Sequence, residues 1–422
     1  NEVQTGNFSE LVPSEYAPLF SHDVNGRFWA EINEGYKVNF SADLAVPKLG
    51  LGSIWLYPER YLRDGYVKLS GEGSLFEPEW EVYFQNVTGE WEGQALDYSG
   101  IGMLFDIAKM SLQFQVAEFD AHILSEQVIN GPATPDKLRE ILKELAPSGK
   151  LKQLSFTLPL MKAEMRENIS MTAVLEQVSI NAWKGVPGIK SLSGYFHSSI
   201  KSGELIVEDD ALFLDLPFIY DKALSLQNTK AHLAWQISET GLQIESGRID
   251  LDHGKASAKA LISLDLPFKR EYGDPEMSLL IGISNADASM RKNFIPKTLP
   301  DDLLEWLDQG VKQAEVSEGA YLYRGSLRPQ ARLGRSSQLY LDVRNAELDY
   351  HKDWPAVAQT DAQLHIDDAD VLAVASTGRM FDNIQLEKAF ISVLPSPTVD
   401  KPVLHVEANA KSNVRDGLRL IN

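Results

Sequence analysis

The sequence predicts a mainly β protein, and three observations carry that prediction. Apolar and polar residues alternate along many segments, as they do where successive side chains of a strand point to opposite faces. This period of two recurs almost to the last residues of the chain, and only two short segments show a helical period. The clearest alternation places on one face the side chains of Ala256, Ala258, Ala260, Ile262, Leu264, Leu266 and Phe268.

The other strand patterns are separated by turn sequences such as Asp64-Gly65 and His253-Gly254. Within the pattern over Ile169–Ala182, the apolar residues move from odd to even positions around Gln177, which predicts an inserted bulge residue at that point. Further strands are predicted at Arg27–Ile32, Lys37–Val46, Glu81–Asn86, Ser111–Val116, Ile169–Ala182, Ala211–Leu216, His232–Ile237, Gly241–Leu251, Met277–Ile283, Gln338–Arg344, Ala362–Asp367 and Val403–Lys411.

Two short helices are predicted, over Pro135–Ala146 and Pro300–Gly310. The first should begin with Thr134 as the N-cap residue and Pro135 in the first turn, because proline is preorganised for the start of a helix. Both segments lie between strand patterns. We therefore interpret them as plugs over the ends or sides of sheets.

Composition excludes several classes of function. Sixty acidic against 40 basic residues give a formal charge of −20, which disfavours binding to nucleic acid and electrostatic docking on anionic lipid. The chain has no cysteine, so disulfide frameworks, thiolate metal sites and cysteine nucleophiles are excluded. No run approaches the roughly 18–20 apolar residues that span a bilayer. The chain starts at Asn1 without a signal peptide, and we interpret it as an excised or processed segment.

The known catalytic and cofactor-binding motifs that we sought are missing from the sequence: no nucleophile elbow, metalloprotease helix, phosphate-binding loop or dinucleotide fingerprint occurs. The acidic turns at 250–254 and 367–370 could supply oxygen ligands to calcium, but neither has the length or distal Glu of an EF-hand loop. We therefore interpret both as ordinary acidic turns. We expect no catalytic residue, no metal and no cofactor.

Four segments, taken in order, resemble the central region of the YhdP-type AsmA-like proteins of Gram-negative envelopes. Leu145–Phe156 is LAPSGKLKQLSF, Ile180–Gly194 is INAWKGVPGIKSLSG, and Leu348–Ile366 is LDYHKDWPAVAQTDAQLHI. The longest, Arg291–Leu327, is RKNFIPKTLPDDLLEWLDQGVKQAEVSEGAYLYRGSL. The resemblance covers the chain from about Ala133 onward and fits the preceding section loosely. Its motifs are structural rather than catalytic.

The resemblance implies a bridge-like lipid transfer protein of the periplasm, tethered to the inner membrane through a segment that this chain lacks. It implies a long, twisted antiparallel sheet curled into an elongated apolar groove, a β-taco-like fold that moves phospholipid toward the outer membrane. The partners would be phospholipid acyl chains and other envelope proteins, with no nucleic acid. We expect three sections of one continuous body, over residues 1–134, 135–330 and 331–422.

Nine residues are the candidates for lining such a groove. They come from three strand patterns that the sequence places on apolar faces. These candidates are Ala258, Ile262, Leu264, Leu279, Ile281, Ile283, Leu339, Leu341 and Val343.

Two alternatives stay open at this stage. The same apolar face could be the filled core of a structural or protein-binding β scaffold of the envelope that carries no lipid. A glycan-active enzyme would need convergent carboxylates and exposed aromatic rings, and Trp29, Trp55, Trp80 and Trp91 are the feature that suits it. Packing in the core or at its rim is the simpler interpretation of these tryptophans.

The elongated body predicts a particle larger than a compact domain of the same length. A compact 422-residue chain would have a radius of gyration of about 22 Å. Small-angle X-ray scattering of the purified chain should give a clearly larger value. A radius close to the compact one would contradict the extended sheet.

Overall fold

Antiparallel strands make up most of the computed structural model, and short helices interrupt them at a few places. The structure describes ten ranges of the chain, and all structural statements concern these residues. The described ranges are 25–50, 61–91, 94–109, 111–130, 134–159, 169–328, 334–351, 354–381, 383–395 and 402–421.

The chain divides into two compact units. Unit 1 comprises the described residues up to Asn181 together with Ser193–Gly203, and unit 2 comprises Ala182–Leu192 together with the residues from Glu204 onward. The section boundaries predicted near residues 134 and 330 stay predictions.

Unit 1 is an antiparallel sheet in which each strand pairs with a strand close to it in the chain. Two helices, α1 (Ala121–Ile129) and α2 (Asp136–Leu145), connect its last strands. The strands are β1 (Asn25–Ile32), β2 (Lys37–Gly50), β3 (Tyr61–Ser74), β4 (Glu79–Trp91), β5 (Gln94–Tyr98), β6 (Ile101–Asp106), β7 (Ser111–Asp120), β8 (Ser148–Pro159) and β9 (Ser170–Ile180).

Two strands, β10 (Gly188–Ser199) and β11 (Ser202–Asp209), are divided between the units. The remaining strands belong to unit 2 and again pair antiparallel with near neighbours in the chain. They are β12 (Leu212–Asp215), β13 (Leu224–Ile237), β14 (Gly241–Ser246), β15 (Ile249–His253), β16 (Ala256–Pro267), β17 (Glu276–Asp287), β18 (Val311–Ser326), β19 (Arg335–Leu348), β20 (Val357–Asp367), β21 (Asp370–Met380), β22 (Ile384–Leu394) and β23 (Val403–Lys411).

The predicted mainly β fold is confirmed, and each predicted strand coincides with an observed one over most of its length. The segment Gly241–Leu251 forms two strands rather than one, since β14 ends at Ser246 and β15 begins at Ile249. The predicted bulge is present: Gln177 has a φ of 52°, and the register between β8 and β9 shifts beside it. Several strands were not predicted, among them β3, β18, β21 and β22.

Both predicted helices are confirmed as α2 and as α4 (Asp301–Gly310). The predicted N-cap is wrong: Pro135 occupies that position without a side-chain cap, and the Thr134 hydroxyl instead donates to the Val128 carbonyl at 2.6 Å. This hydrogen bond adds a side-chain donor to a carbonyl in the last turn of α1. Sequence reasoning missed α1, α3 (Arg291–Phe294) and α5 (Val414–Ile421).

A line of bulges crosses five successive strands of unit 2, from β18 to β22. The register shifts place the extra residues at Ser317, Asn345, Gln359, Ser376 and Glu387, close to one level of the sheet. Each bulge bends its strand and increases the local twist. Together, these residues, which we call the bulge line, let neighbouring strands bend at the same place without losing their pairing.

The left-handed backbone at Asn345 provides a test of the bulge line. Asn345 is exposed and has a φ of 50°, and its amide N–H donates to Asp361 Oδ1 at 3.0 Å. Asn345→Val should lower the free energy of unfolding by about 1–2 kcal/mol, because a β-branched residue is strained at this φ. Urea denaturation would measure the loss. Asn345→Gly is the matched control and should change stability little, so equal losses for both variants would contradict a strained bulge.

Candidate functional site

The register between strands places the nine groove candidates on one face of unit 2, which we call the apolar face. Residues directly opposite each other on neighbouring antiparallel strands share a face of the sheet. On β16 and β17, Ala258 pairs with Ile283 and Ile262 pairs with Leu279, while Leu264 pairs with Met277.

The same rows continue across the next three strands. One row runs from Ile281 through Tyr321 to Leu339, and a second runs from Ile283 through Gly319 to Leu341. At Gly319 an added Cβ would lie 2.9 Å from Leu341 Cδ2, so the leucine side chain covers this glycine. Val343, the last candidate, pairs with Ala362 of β20.

Burial changes along the apolar face. Close to the bulge line the side chains are fully buried, with Ala346 exposed by 2%, Thr360 by 4% and Ala375 by 5%. All nine candidates are half-buried, and none of them is fully buried. A sealed core between two packed sheets would bury most such residues. The apolar face is therefore closely covered at the bulge line and only partly covered at the candidates.

The opposite face of the same strands is mostly polar and exposed. It carries Lys259, Ser263 and Asp265 on β16, as the alternation predicts. Leu280, which precedes Ile281 on β17, is 45% exposed and pairs with Leu261 and Leu322. Ile281 therefore lies half-buried on the apolar face, and Leu280 lies exposed on the opposite face. The two positions can be substituted as a matched pair.

Three hydroxyl groups lie close together on the apolar face. Tyr321 and Tyr323 lie in its rows, and Ser337 pairs with Tyr323. Ser337 Oγ donates to Tyr321 Oη at 3.4 Å, and Tyr323 Oη donates to the Ser326 carbonyl at 2.5 Å. These residues were missing from the predicted lining. Tyr321 and Tyr323 share a period of two with Gly319, but the glycines and charged residues of β18 obscure this period in the sequence.

Unit 1 has an apolar face of its own that is rich in aromatic rings. Phe40 lies over Gly71 of the neighbouring strand, where an added Cβ would be 2.4 Å from the ring, and Trp80 lies over Gly73 in the same way. The Phe40 and Trp80 rings are 6.4 Å apart. Glycine thus provides the space in which these rings lie flat against the sheet.

The tryptophans of unit 1 do not form a common platform in the described residues. Trp80 packs in the aromatic face, whereas Trp29 is exposed by 54% on the opposite side of β1. Trp55 and the side chain of Trp91 lie outside the described residues. The described tryptophans therefore give no support to stacking of a sugar between rings.

Four carboxylates of the predicted acidic turns are engaged by neighbours. Asp367 accepts from Gln338 Nε2, and Asp368 accepts from the Ser337 N–H. Asp250 pairs with Arg248 at 2.8 Å, and Asp252 Oδ2 accepts from Asn228 Nδ2 at 2.9 Å. Across the ranges that the structure covers, no group of three His, Asp or Glu side chains is placed to hold a metal ion.

Within the described ranges, three carboxyl groups have a pKa clearly displaced from its ordinary value, and each is lowered. Hydrogen bonds from Lys109, Lys150 and Ser289 lower the pKa of Asp106, Glu118 and Asp287, respectively. A general acid at neutral pH needs a raised pKa, so these groups stay ionised. Asp106 is buried and lies 2.7 Å from the Lys109 ammonium.

None of the described helices has the length and apolar character that crossing a membrane requires. The fold and the site define an antiparallel β protein whose distinguishing feature is an extended apolar sheet face. The chain belongs to the YhdP family: the family model described as "YhdP protein" matches residues 4–422.

The chain is similar to the Intermembrane phospholipid transporter YhdP of Escherichia coli (strain K12), with 24% identity over 230 residues. The aligned region covers 54% of this chain and 18% of that transporter, so the match spans less than a fifth of the relative. No solved structure matches the chain significantly.

The burial pattern predicts that the same Ile→Ala substitution lowers stability by different amounts at two positions. Ile384 is 1% exposed, whereas Ile281 is half-buried. Ile384→Ala should lower the free energy of unfolding by about 2–5 kcal/mol through lost burial and the resulting cavity. Ile281→Ala should cost roughly half as much or less, because its side chain is already partly hydrated. Thermal and urea unfolding would compare the two, and equal costs would mean that the apolar face is a sealed core.

Proposed function

We propose that this chain is a segment of a non-enzymatic conduit that carries phospholipid between the inner and outer membranes. The acyl chains would lie on the apolar face of unit 2, against the nine candidates. The observation that carries this proposal is the register, which aligns apolar side chains into rows that continue from β16 to β20. The name of the Escherichia coli relative supports the same cargo.

The energetics favour such a face as a carrier. Each CH₂ group that leaves water contributes about 0.8 kcal/mol, so a 16-carbon acyl chain in water costs on the order of 12 kcal/mol. A row of Ala, Leu, Ile and Val side chains removes much of that cost. Dispersion contacts with such side chains are individually weak and non-directional. A lipid can therefore exchange one set of contacts for the next without breaking a strong bond.

The location follows from the same proposal. The chain would work in the periplasm, with the protein tethered to the inner membrane through a segment outside this sequence. Other envelope proteins would be its partners, and the charge of −20 makes nucleic acid an unsuitable one. The groove would continue through the three predicted sections of the chain.

One observation favours the alternative, a protein-binding scaffold without lipid cargo. Leu261, Leu280 and Leu322 form an exposed row on the opposite face, with exposed fractions of 45%, 45% and 40%. Exposed apolar rows are common at protein–protein contacts. A scaffold predicts that lipid does not contact the apolar face, which distinguishes it from the conduit.

Photo-crosslinking distinguishes the two functions. A p-benzoylphenylalanine probe at position 281, in the full-length protein in cells, should form adducts with phospholipid that mass spectrometry identifies. The same probe at position 280 is the matched control, because its side chain lies one residue away on the opposite face. Lipid adducts at 281 and few at 280 would support the conduit. Absence of lipid at 281 would refute it.

An acidic substitution tests whether the apolar face is a path for lipid. Ile281→Asp should leave the protein folded with a modest loss of stability, since the carboxylate can reach water from a half-buried position. Phospholipid passage should fail, because a charge interrupts the apolar row. Leu280→Asp should change neither property. If the face were a sealed core, Ile281→Asp would bury an unpaired charge and destabilise the protein by several kcal/mol.

A further inference from the structure

The hydroxyl groups on the apolar face include a donor that no described residue accepts. Tyr321 Oη accepts from Ser337 Oγ at 3.4 Å, and its own O–H proton has no acceptor among the described residues. The hydroxyl of Tyr323 differs, because it donates to the Ser326 carbonyl at 2.5 Å. Tyr321 sits between Ile281 and Leu339 in the row that lipid would follow. A phenol in that place offers one hydrogen bond to a passing molecule.

A loop of unit 2 brings a second phenol to Tyr321. From Pro217 to Ala223, between β12 and β13, every residue is exposed except Tyr220. Tyr220 interacts electrostatically with Tyr321, and burial together with this interaction raises the pKa of the Tyr220 phenol. The raised pKa keeps the Tyr220 phenol protonated near neutral pH, so that it can donate a hydrogen bond.

The loop is held in place by the segment that precedes α4. The backbone N–H of Lys297 donates to the Ile219 carbonyl at 2.9 Å, and Lys297 Nζ lies 3.3 Å from Asp221 Oδ1. These two links flank Tyr220 in the sequence. They hold the loop on both sides of Tyr220, its one half-buried residue.

We propose that Tyr321 and Tyr220 form a hydrogen-bonding station for the ester region of a phospholipid, at one point along the otherwise apolar face. This inference rests on the proposed lipid conduit and names a place where the lipid pauses. The ester carbonyls are neutral acceptors at the junction between acyl chains and headgroup. Two phenol donors could bind these carbonyls, while the acyl chains lie along the apolar row that contains Ile281 and Leu339.

The charges around the station favour an ester over the phosphate of the headgroup. Lys297, the cation whose backbone and side chain hold the loop, is already paired with Asp221, and Lys222 of the loop itself is exposed to solvent. A phosphate would need an unpaired cation or several donors to replace its hydration. An ester carbonyl needs one or two hydrogen bonds, and each should change lipid retention by about 2- to 10-fold.

The test compares diester phosphatidylethanolamine with the diether analogue, which lacks the carbonyl acceptors. Vesicles of each lipid are mixed with the purified chain that carries the photo-crosslinker at position 281, and adduct yields are measured. The diester should give a yield about 2- to 10-fold above that of the diether. Tyr321→Phe should reduce the diester yield to the diether level, and Tyr220→Phe should reduce it in part.

Tyr340→Phe is the matched control. Tyr340 lies on the opposite face, where it pairs with Ala320 and its ring is 4.8 Å from that of His365. This variant should leave both yields unchanged, and thermal unfolding should show that all three variants are folded. Equal diester and diether yields, or no effect of Tyr321→Phe, would overturn the station while crosslinking at 281 persists. Loss of all lipid adducts in the unmutated chain would instead refute the conduit itself, and the station with it.

Discussion

Backbone pairing between neighbouring strands is the interaction on which the apolar face depends. Because side chains alternate with a period of two, a slip of one residue in any strand would move polar groups onto that face. The strands β16, β17 and β18 pair over long stretches without a shift, so their rows of apolar side chains stay aligned. The hydrogen bonds that hold the sheet together therefore also determine what a molecule on its surface would contact.

The bulge line reconciles this pairing with curvature. A regular strand that bent sharply would break hydrogen bonds, whereas an extra residue bends the strand and restores the pairing beyond it. Asparagine at 345 suits such a position, since it tolerates the left-handed backbone better than most residues. The bulges also change the parity, so the apolar residues on both sides of the line stay on one face. Ala346, beside the line, is 2% exposed, whereas Ile281, on a strand outside the line, is half-buried.

The sequence was sufficient to predict the strands with strict alternation and the two helices that begin after Pro135 and Pro300. It assigned each of the nine candidates to the apolar side of its own strand, and their role as a groove lining stays a prediction. It was insufficient for β3 and β18, where glycine and charged residues obscure the period. The Thr134 hydroxyl was misassigned because its partner, the Val128 carbonyl, comes from a different helix. Tyr220 could not be predicted as part of the site, because a loop brings it to Tyr321 across about a hundred residues of chain. Local patterns reveal faces of strands, whereas the positions of loops depend on tertiary contacts.

Pairing between strands that are close in the chain has a consequence for how this protein forms. Each new strand of unit 2 joins the edge made by the one or two strands before it, so the entropy lost in closing each loop is small. Assembly can then proceed strand by strand while the chain emerges, as it does in repeat proteins whose stability is a sum of nearest-neighbour terms. A destabilising substitution in one strand should weaken mainly its pairing with the two neighbouring strands. Such a body can be lengthened or shortened during evolution by whole hairpins without rebuilding a central core.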